Sequence, residues 1–247
     1  MTALPETGGR PHPAVTGKPS PLVSDIPSRT GLMRAQAKGR GPEQRLTVPR
    51  TERAFLNSLL LRLKTHDPDT YDHSLRTLRL SLLLGGEVGL PAVELRALKL
   101  SALLHDVGKV YVPATLLRKP AALTRGEWAT MQRHPGDGRR LLCASPLSAA
   151  AARATLEHHE RWDGNGYPQG LRGEAIGLEA RVIAVADAFD VMDNERPYRS
   201  AMSYEAALAE LIRCAGKQFD PQIVAAFGRM SRERVEKVIG SYECPVF

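Results

Sequence analysis

From Thr51 onward, apolar residues recur at helical rather than strand spacing. Phe55, Leu56, Leu59, Leu60 and Leu63 form one stripe, and a turn is expected over His66 to Thr70. A second helix should then run to about Leu84, with Gly85 and Gly86 as its stop. Pro91 suits the first turn of a third helix that buries Leu95, Leu98, Ala102 and Leu103, turns Glu94, Arg96 and Lys99 to water, and ends near His105. Residues 110–121, with Pro113 and Pro120, read as a loop. Thr124 and Glu127 form a capping box for a short helix reaching His134. An alanine-rich helix covers 147–159, and the glycine-rich stretch Asp163 to Gly173 reads as a loop. Further helices are expected at 178–192, 204–215, 221–230 (behind the Asp220-Pro221 cap pair) and 231–239. No β-type alternation persists and no internal repeat is visible, so the expected fold class is all-α: a helical bundle.

The first 48 residues break this pattern. Residues 1–50 hold eight of the 18 prolines and six of the 21 glycines, and eight Lys/Arg against three acids. A disordered basic tail over 1–48 and one folded domain over 49–247 are therefore expected. Residues 1–50 account for +5 of the net +7, leaving the rest of the chain near neutral and removing the main argument for a nucleic-acid polymer as partner. No apolar run is long enough to span a membrane, and the N-terminus has no secretory h-region. Cys143, Cys214 and Cys244 read as free thiols of a cytoplasmic protein.

Seven residues stand out as candidate metal ligands: His73, His105, Asp106, His134, His158, His159 and Asp187. They include five of the seven histidines in the chain, several near expected helix ends where side chains from different helices can converge. A lone histidine is most often structural; seven such groups exceed what one tetrahedral zinc needs. The neighbours His105-Asp106 and His158-His159 would stand about 100° apart on a helical wheel, which suits two adjacent metals or a metal and an outer partner. Imidazole with carboxylate favours Fe, Mn, Ni or Zn over Ca or Mg. A bridged pair of ions can polarise a phosphoryl group and generate hydroxide. Lys109, Arg196 and Arg199 could neutralise phosphate, and Arg76 could do so or brace a ligating carboxylate. Trp162 and Tyr167, in the loop 160–170, could pack that loop or stack on a base. These residues by themselves point to a metal-dependent phosphohydrolase with room for an aromatic substrate.

In order along the chain, HSLR (73–76), LLHDVGKVYVP (103–113), LRKPAALT (117–124), MQRHPGDG (131–138), HHERWDGNGYPQGLRGEAI (158–176), ARVIAVADAFDVM (180–192), RPYR (196–199) and AGKQFDP (215–221) resemble the HD-GYP branch of the HD phosphohydrolases. The resemblance implies an all-helical domain with two or three divalent transition metal ions, Fe or Mn foremost. It implies that the seven residues are the ligands, with Asp106 bridging and Asp106 and Lys109 catalytic. Lys109, Arg196 and Arg199 would contact phosphate, and Gly166, Tyr167 and Pro168 would be the motif that shapes the loop and serves partner contacts. The usual reaction of the family converts cyclic di-GMP to pGpG and often to GMP, and a diguanylate cyclase or another signalling protein is a conceivable partner. Trinuclear members carry a glutamate four residues before the first histidine; here that position is Asp69, which could ligate a third ion or cap a helix beginning near Tyr71. The polar N-terminal stretch is too short for a sensor domain, so a stand-alone catalytic domain is expected. Two rival readings are a hydrolase of another cyclic dinucleotide or nucleotide, and a weakly catalytic responsive module; the intact ligand set speaks against the second.

Overall fold

The computed structural model describes residues 50–144, 146–194 and 201–240. Arg196, Arg199, Cys244 and the expected tail lie outside these residues. The described chain is helical throughout: α1 (Arg50–His66), α2 (Pro68–Val88), α3 (Ala92–Leu104), a 3-10 turn (Val107–Tyr111), α4 (Ala114–Leu117), α5 (Arg125–Met131), α6 (His134–Leu142), α7 (Pro146–Glu157), a second 3-10 turn (Gly173–Ala175), α8 (Leu178–Asp193), α9 (Tyr204–Arg213), α10 (Pro221–Gly228) and α11 (Arg232–Ile239). Among the described residues, the only β-type pairing is an isolated bridge between Ala215 and Phe219. None of the described helices is long and apolar enough to cross a membrane.

Helix α2 is the hub, packing on α1, α3, α8, α10 and α11. It starts earlier than expected. The break after α1 is Asp67 alone, whose carboxylate accepts from the Thr70 N–H and caps the helix, with Pro68 in the first turn. Asp69 therefore lies inside the first turn and is not the cap. The helix also ends later, running through Gly85 and Gly86 to a left-handed Gly89 with φ 83°. Gly85 is used for close approach: a Cβ there would stand 2.7 Å from Leu98 Cδ2.

Two expectations for the middle of the chain also need correction. The loop expected at 110–121 includes the last turn of the first 3-10 segment and the single-turn α4. The helix expected to reach His134 stops at Met131, and a separate helix, α6, begins at His134 where none was expected. The capping box is as expected, with Thr124 and Glu127 each taking the other's backbone N–H; such a cap contributes about 1 kcal/mol. Pro135 and the nearby glycines suggest a break, but proline in a first turn opens a helix, and α6 begins there.

With few aromatics, the core is mainly aliphatic. Leu78, Leu80 and Leu84 of α2 are fully buried, with Leu98 of α3 and Val182 and Ile183 of α8. Phe189 joins α8 to the C-terminal helices, its ring 4.7 Å from Phe227 and 5.5 Å from Tyr204. The same α2 and α8 carry His73 and Asp187, so this packing positions part of the site.

Candidate metal centre

Four of the histidines sit where helices begin or end. His105 and Asp106 follow the last residue of α3, His134 opens α6, and His158 and His159 follow α7. In these places the backbone leaves the helical path, so neighbouring side chains can converge. This overturns the helical-wheel expectation. His158 and His159 belong to one group with Asp106 and His134, while His105 and Asp106 join His73 in a second. Asp106 is common to both groups, the arrangement a bridging carboxylate requires. Asp187, on α8, completes the cluster, its Oδ1 3.0 Å from His73 Nε2.

The hydrogen bonds determine which ring nitrogens face inward. His105 Nδ1 meets Ala102 O at 2.7 Å, His134 Nδ1 meets Met131 O at 2.7 Å, and His158 Nδ1 meets Thr155 O at 2.8 Å. A carbonyl only accepts, so each Nδ1 carries the proton, and in the neutral ring Nε2 is a bare lone pair. These lone pairs converge on one another and on Asp106. His134 Nε2 and His158 Nε2 are 3.4 Å apart, and His134 Nε2 is 3.2 Å from Asp106 Oδ1. His105 Nε2 and Asp106 Oδ1 are buried with no hydrogen-bond partner in the described structure. Bare nitrogens and an ionised carboxylate without donors between them fit divalent cations, and the N/O donor set favours Fe, Mn, Ni or Zn.

The protonation states agree. Burial, with His159 and His105 next in effect, pushes His158 well below its ordinary value, and burial with His134 alongside pushes His159 down to about 3. Burial opposes ionisation of Asp106, but Lys109 and His105 outweigh it and hold the carboxyl well below the usual range. Lys109 Nζ donates to Asp106 Oδ2 at 2.6 Å.

His73 is held differently. It lies mid-helix in α2, with Nδ1 2.7 Å from Asp190 Oδ2 on α8. Burial works against its protonation, yet Asp187 and Asp190 raise it to about 9. A proton on Nε2 takes the place a cation would occupy between His73 and Asp187. Asp190 is fully buried and saturated: it also accepts from Arg76 Nε at 2.7 Å, Arg76 Nη2 at 3.1 Å and Asn194 Nδ2 at 3.2 Å. Arg76 thus braces a carboxylate, one that orients a candidate ligand. Asp190 escaped the sequence reading; its signal was an acid three residues after Asp187 within the apolar run 182–192.

Asp69 is exposed and belongs to neither group. Beyond the cluster, Glu160 secures the glycine-rich loop, accepting from Gln169 N at 2.6 Å and Leu171 N at 3.0 Å. Gly166 is required there, since a Cβ would stand 2.3 Å from Arg161 N. Tyr167, joined to Pro168 by a cis bond, stacks on His159 with centroids 4.9 Å apart. Trp162 packs beneath Arg181 rather than facing the cleft. The cleft above the cluster encloses about 670 Å³ and is bordered by His158, His159, Asp187, Tyr167 and Trp128.

The profile of the HD domain family matches residues 58–223. The chain belongs to the HD-domain family. Its ordered motifs and its relatives place it in the HD-GYP branch. It is 41% identical over 207 residues to a cyclic di-GMP phosphodiesterase response regulator of Xanthomonas campestris, covering 81% of this chain and 54% of the relative. It is 41% identical over 169 residues to a cyclic di-GMP phosphodiesterase of Pseudomonas aeruginosa, covering 68% and 41%. It is also 41% identical over 134 residues to 3'3'-cGAMP-specific phosphodiesterase 1 of Vibrio cholerae, covering 54% and 31%. The chain spans about half the length, or less, of these curated relatives. The fold is shared with a cyclic GMP-AMP-specific phosphodiesterase of V. cholerae, at TM-score 0.54 and 21% identity over 76% of this chain and 52% of that one.

Proposed function

We propose that this HD domain is a metal-dependent phosphodiesterase that hydrolyses cyclic di-GMP to pGpG, GMP or both. The observation that carries the reading is Asp106, shared by two groups of inward-facing imidazoles, with His158, His159 and Asp187 of the same cluster lining an open cleft. His73, His105, Asp106 and Asp187 would hold one ion, and Asp106, His134, His158 and His159 the other. Two divalent ions there would offset charge on a phosphodiester and lower the pKa of the attacking water.

The protein's own groups do the rest. Asp190 and the helix-end carbonyls lock the imidazoles in the ligating tautomer. Lys109, held beside Asp106, presents a cation to the phosphate, and Arg196 and Arg199 would add further charge. Tyr167 gives the cleft an aromatic wall; burial raises its hydroxyl, which stays neutral. Metal identity narrows to Fe or Mn on the family resemblance.

A second reading, another cyclic dinucleotide, has support from the cGAMP-specific relative. Anaerobic purification with Fe or Mn, then product analysis with cyclic di-GMP and 3'3'-cGAMP in parallel, tests both. Preferential release of pGpG or GMP from cyclic di-GMP is expected. Exclusive cleavage of cGAMP would replace the first reading with the second.

A further inference from the structure

The cleft extends away from the metal ligands along α8 to α9, and its two ends differ. On α8, Ala184, Asp187, Ala188 and Val191 recur at i, i+3, i+4 and i+7 and line one side. Asp187 marks the end where a phosphate would sit. Beyond it the lining includes the apolar Ala188, Val191 and Phe219. The polar lining includes Glu210 of α9 and Gln218 of the loop that follows, with Arg161 alongside Gln218.

Both groups have hydrogen-bond partners, and these engage them in opposite senses. Arg213 donates to both oxygens of Glu210, Nε to Oε2 at 2.7 Å and Nη2 to Oε1 at 2.5 Å, while the Cys214 thiol lies 3.5 Å from Oε1. The carboxylate has lone pairs to spare and no proton to donate. Gln218 Oε1 accepts from Arg161 Nη1 at 3.3 Å. A guanidinium only donates, so the amide oxygen must face it and the amide N–H₂ is left to donate.

We propose that this end of the cleft is a guanine-selective base subsite, with Glu210 and Gln218 as its specificity-determining residues. The inference rests on the reading that the substrate is a cyclic dinucleotide. The Watson–Crick edge of guanine presents one acceptor, O6, beside two donors, N1–H and N2–H₂. The Gln218 amide complements the first and the Glu210 carboxylate the other two. Adenine reverses both positions: its N6–H₂ would face the amide donor and its N1 lone pair the carboxylate. Rejection then comes from leaving both protein groups unpaired as well as from lost contacts.

The test compares metal-loaded full-length protein with Glu210→Gln and Gln218→Glu. The readout is kcat/KM for cyclic di-GMP, 3'3'-cGAMP and cyclic di-AMP, each relative to bis(4-nitrophenyl) phosphate, a diester without a base. Equilibrium binding of cyclic di-GMP to chelator-treated protein supplies a second readout. Glu210→Gln should lower the relative value for cyclic di-GMP roughly 5- to 150-fold, the range for losing one bidentate base contact, and weaken binding in parallel. Gln218→Glu should shift preference toward cyclic di-AMP. Equal losses on guanine and adenine substrates, or no change in either variant, would overturn the subsite and leave the proposed function standing. A wild-type protein that cleaves the base-free diester but no cyclic dinucleotide would overturn both.

Discussion

The two sides of the metal centre are built on different principles. In the group of His134 and His158, and also at His105, each imidazole is oriented by the carbonyl three residues earlier in its own chain segment. The backbone supplies the orienting acceptor, so the neighbouring side chain is immaterial. On the other side, His73 lies mid-helix, where the carbonyls are committed to the helix itself. Its acceptor is Asp190 on α8, itself gripped by Arg76 and Asn194. The first arrangement tolerates sequence change around the ligand; the second depends on two remote residues. Helix ends are thus cheap places to orient imidazoles, and mid-helix ligands need a dedicated outer partner.

The largest effect should come from the residue that joins the two sides. Asp106→Asn removes the shared carboxylate charge and should reduce turnover to background in a folded protein; wild-type turnover at matched metal content would remove Asp106 from the centre. Next comes the metal itself. Both sides crowd lone pairs or carboxylates that only a cation or proton reconciles, so loading should stabilise the fold. At free metal a thousand times Kd the gain is about 4 kcal/mol, seen as a rise in Tm on the order of 10 °C. Calorimetry with and without chelator measures it, and an unchanged Tm would count against bound ions.

A smaller, one-sided effect is expected from Asp190→Ala. It should weaken metal affinity about 10- to 100-fold at the His73 group and spare the His134 group. Met131→Leu, which keeps the carbonyl that orients His134, should leave both affinities unchanged. Stoichiometry titrations on the two variants check the comparison; equal losses would erase the distinction between the sides. The smallest effect belongs to Asp69→Asn. Exposed and outside both groups, Asp69 should be dispensable, with metal count and turnover as in the wild type. A lost equivalent of metal would instead bring Asp69 to a third ion.

Much of the molecule was legible from local chemistry alone. Apolar stripes located α1 and α3, the Asp220-Pro221 cap pair located the start of α10, and the Thr124–Glu127 capping box located the start of α5, because helix burial and capping depend on residues a few positions apart. The candidate ligands were conspicuous for a related reason: they are histidines and acids in short motifs, most of them at helix ends. Tertiary packing decided the rest. The glycines at 85 and 86 resemble a stop, but α3 packs closely against Gly85 and the helix continues to Gly89. The pairing of Asp190 with His73 spans 117 residues, and no local rule connects them. Which ligands share a group also waited on the fold, because residues just past a helix end no longer follow its 100° step, and only the assembled backbone sets where their side chains meet.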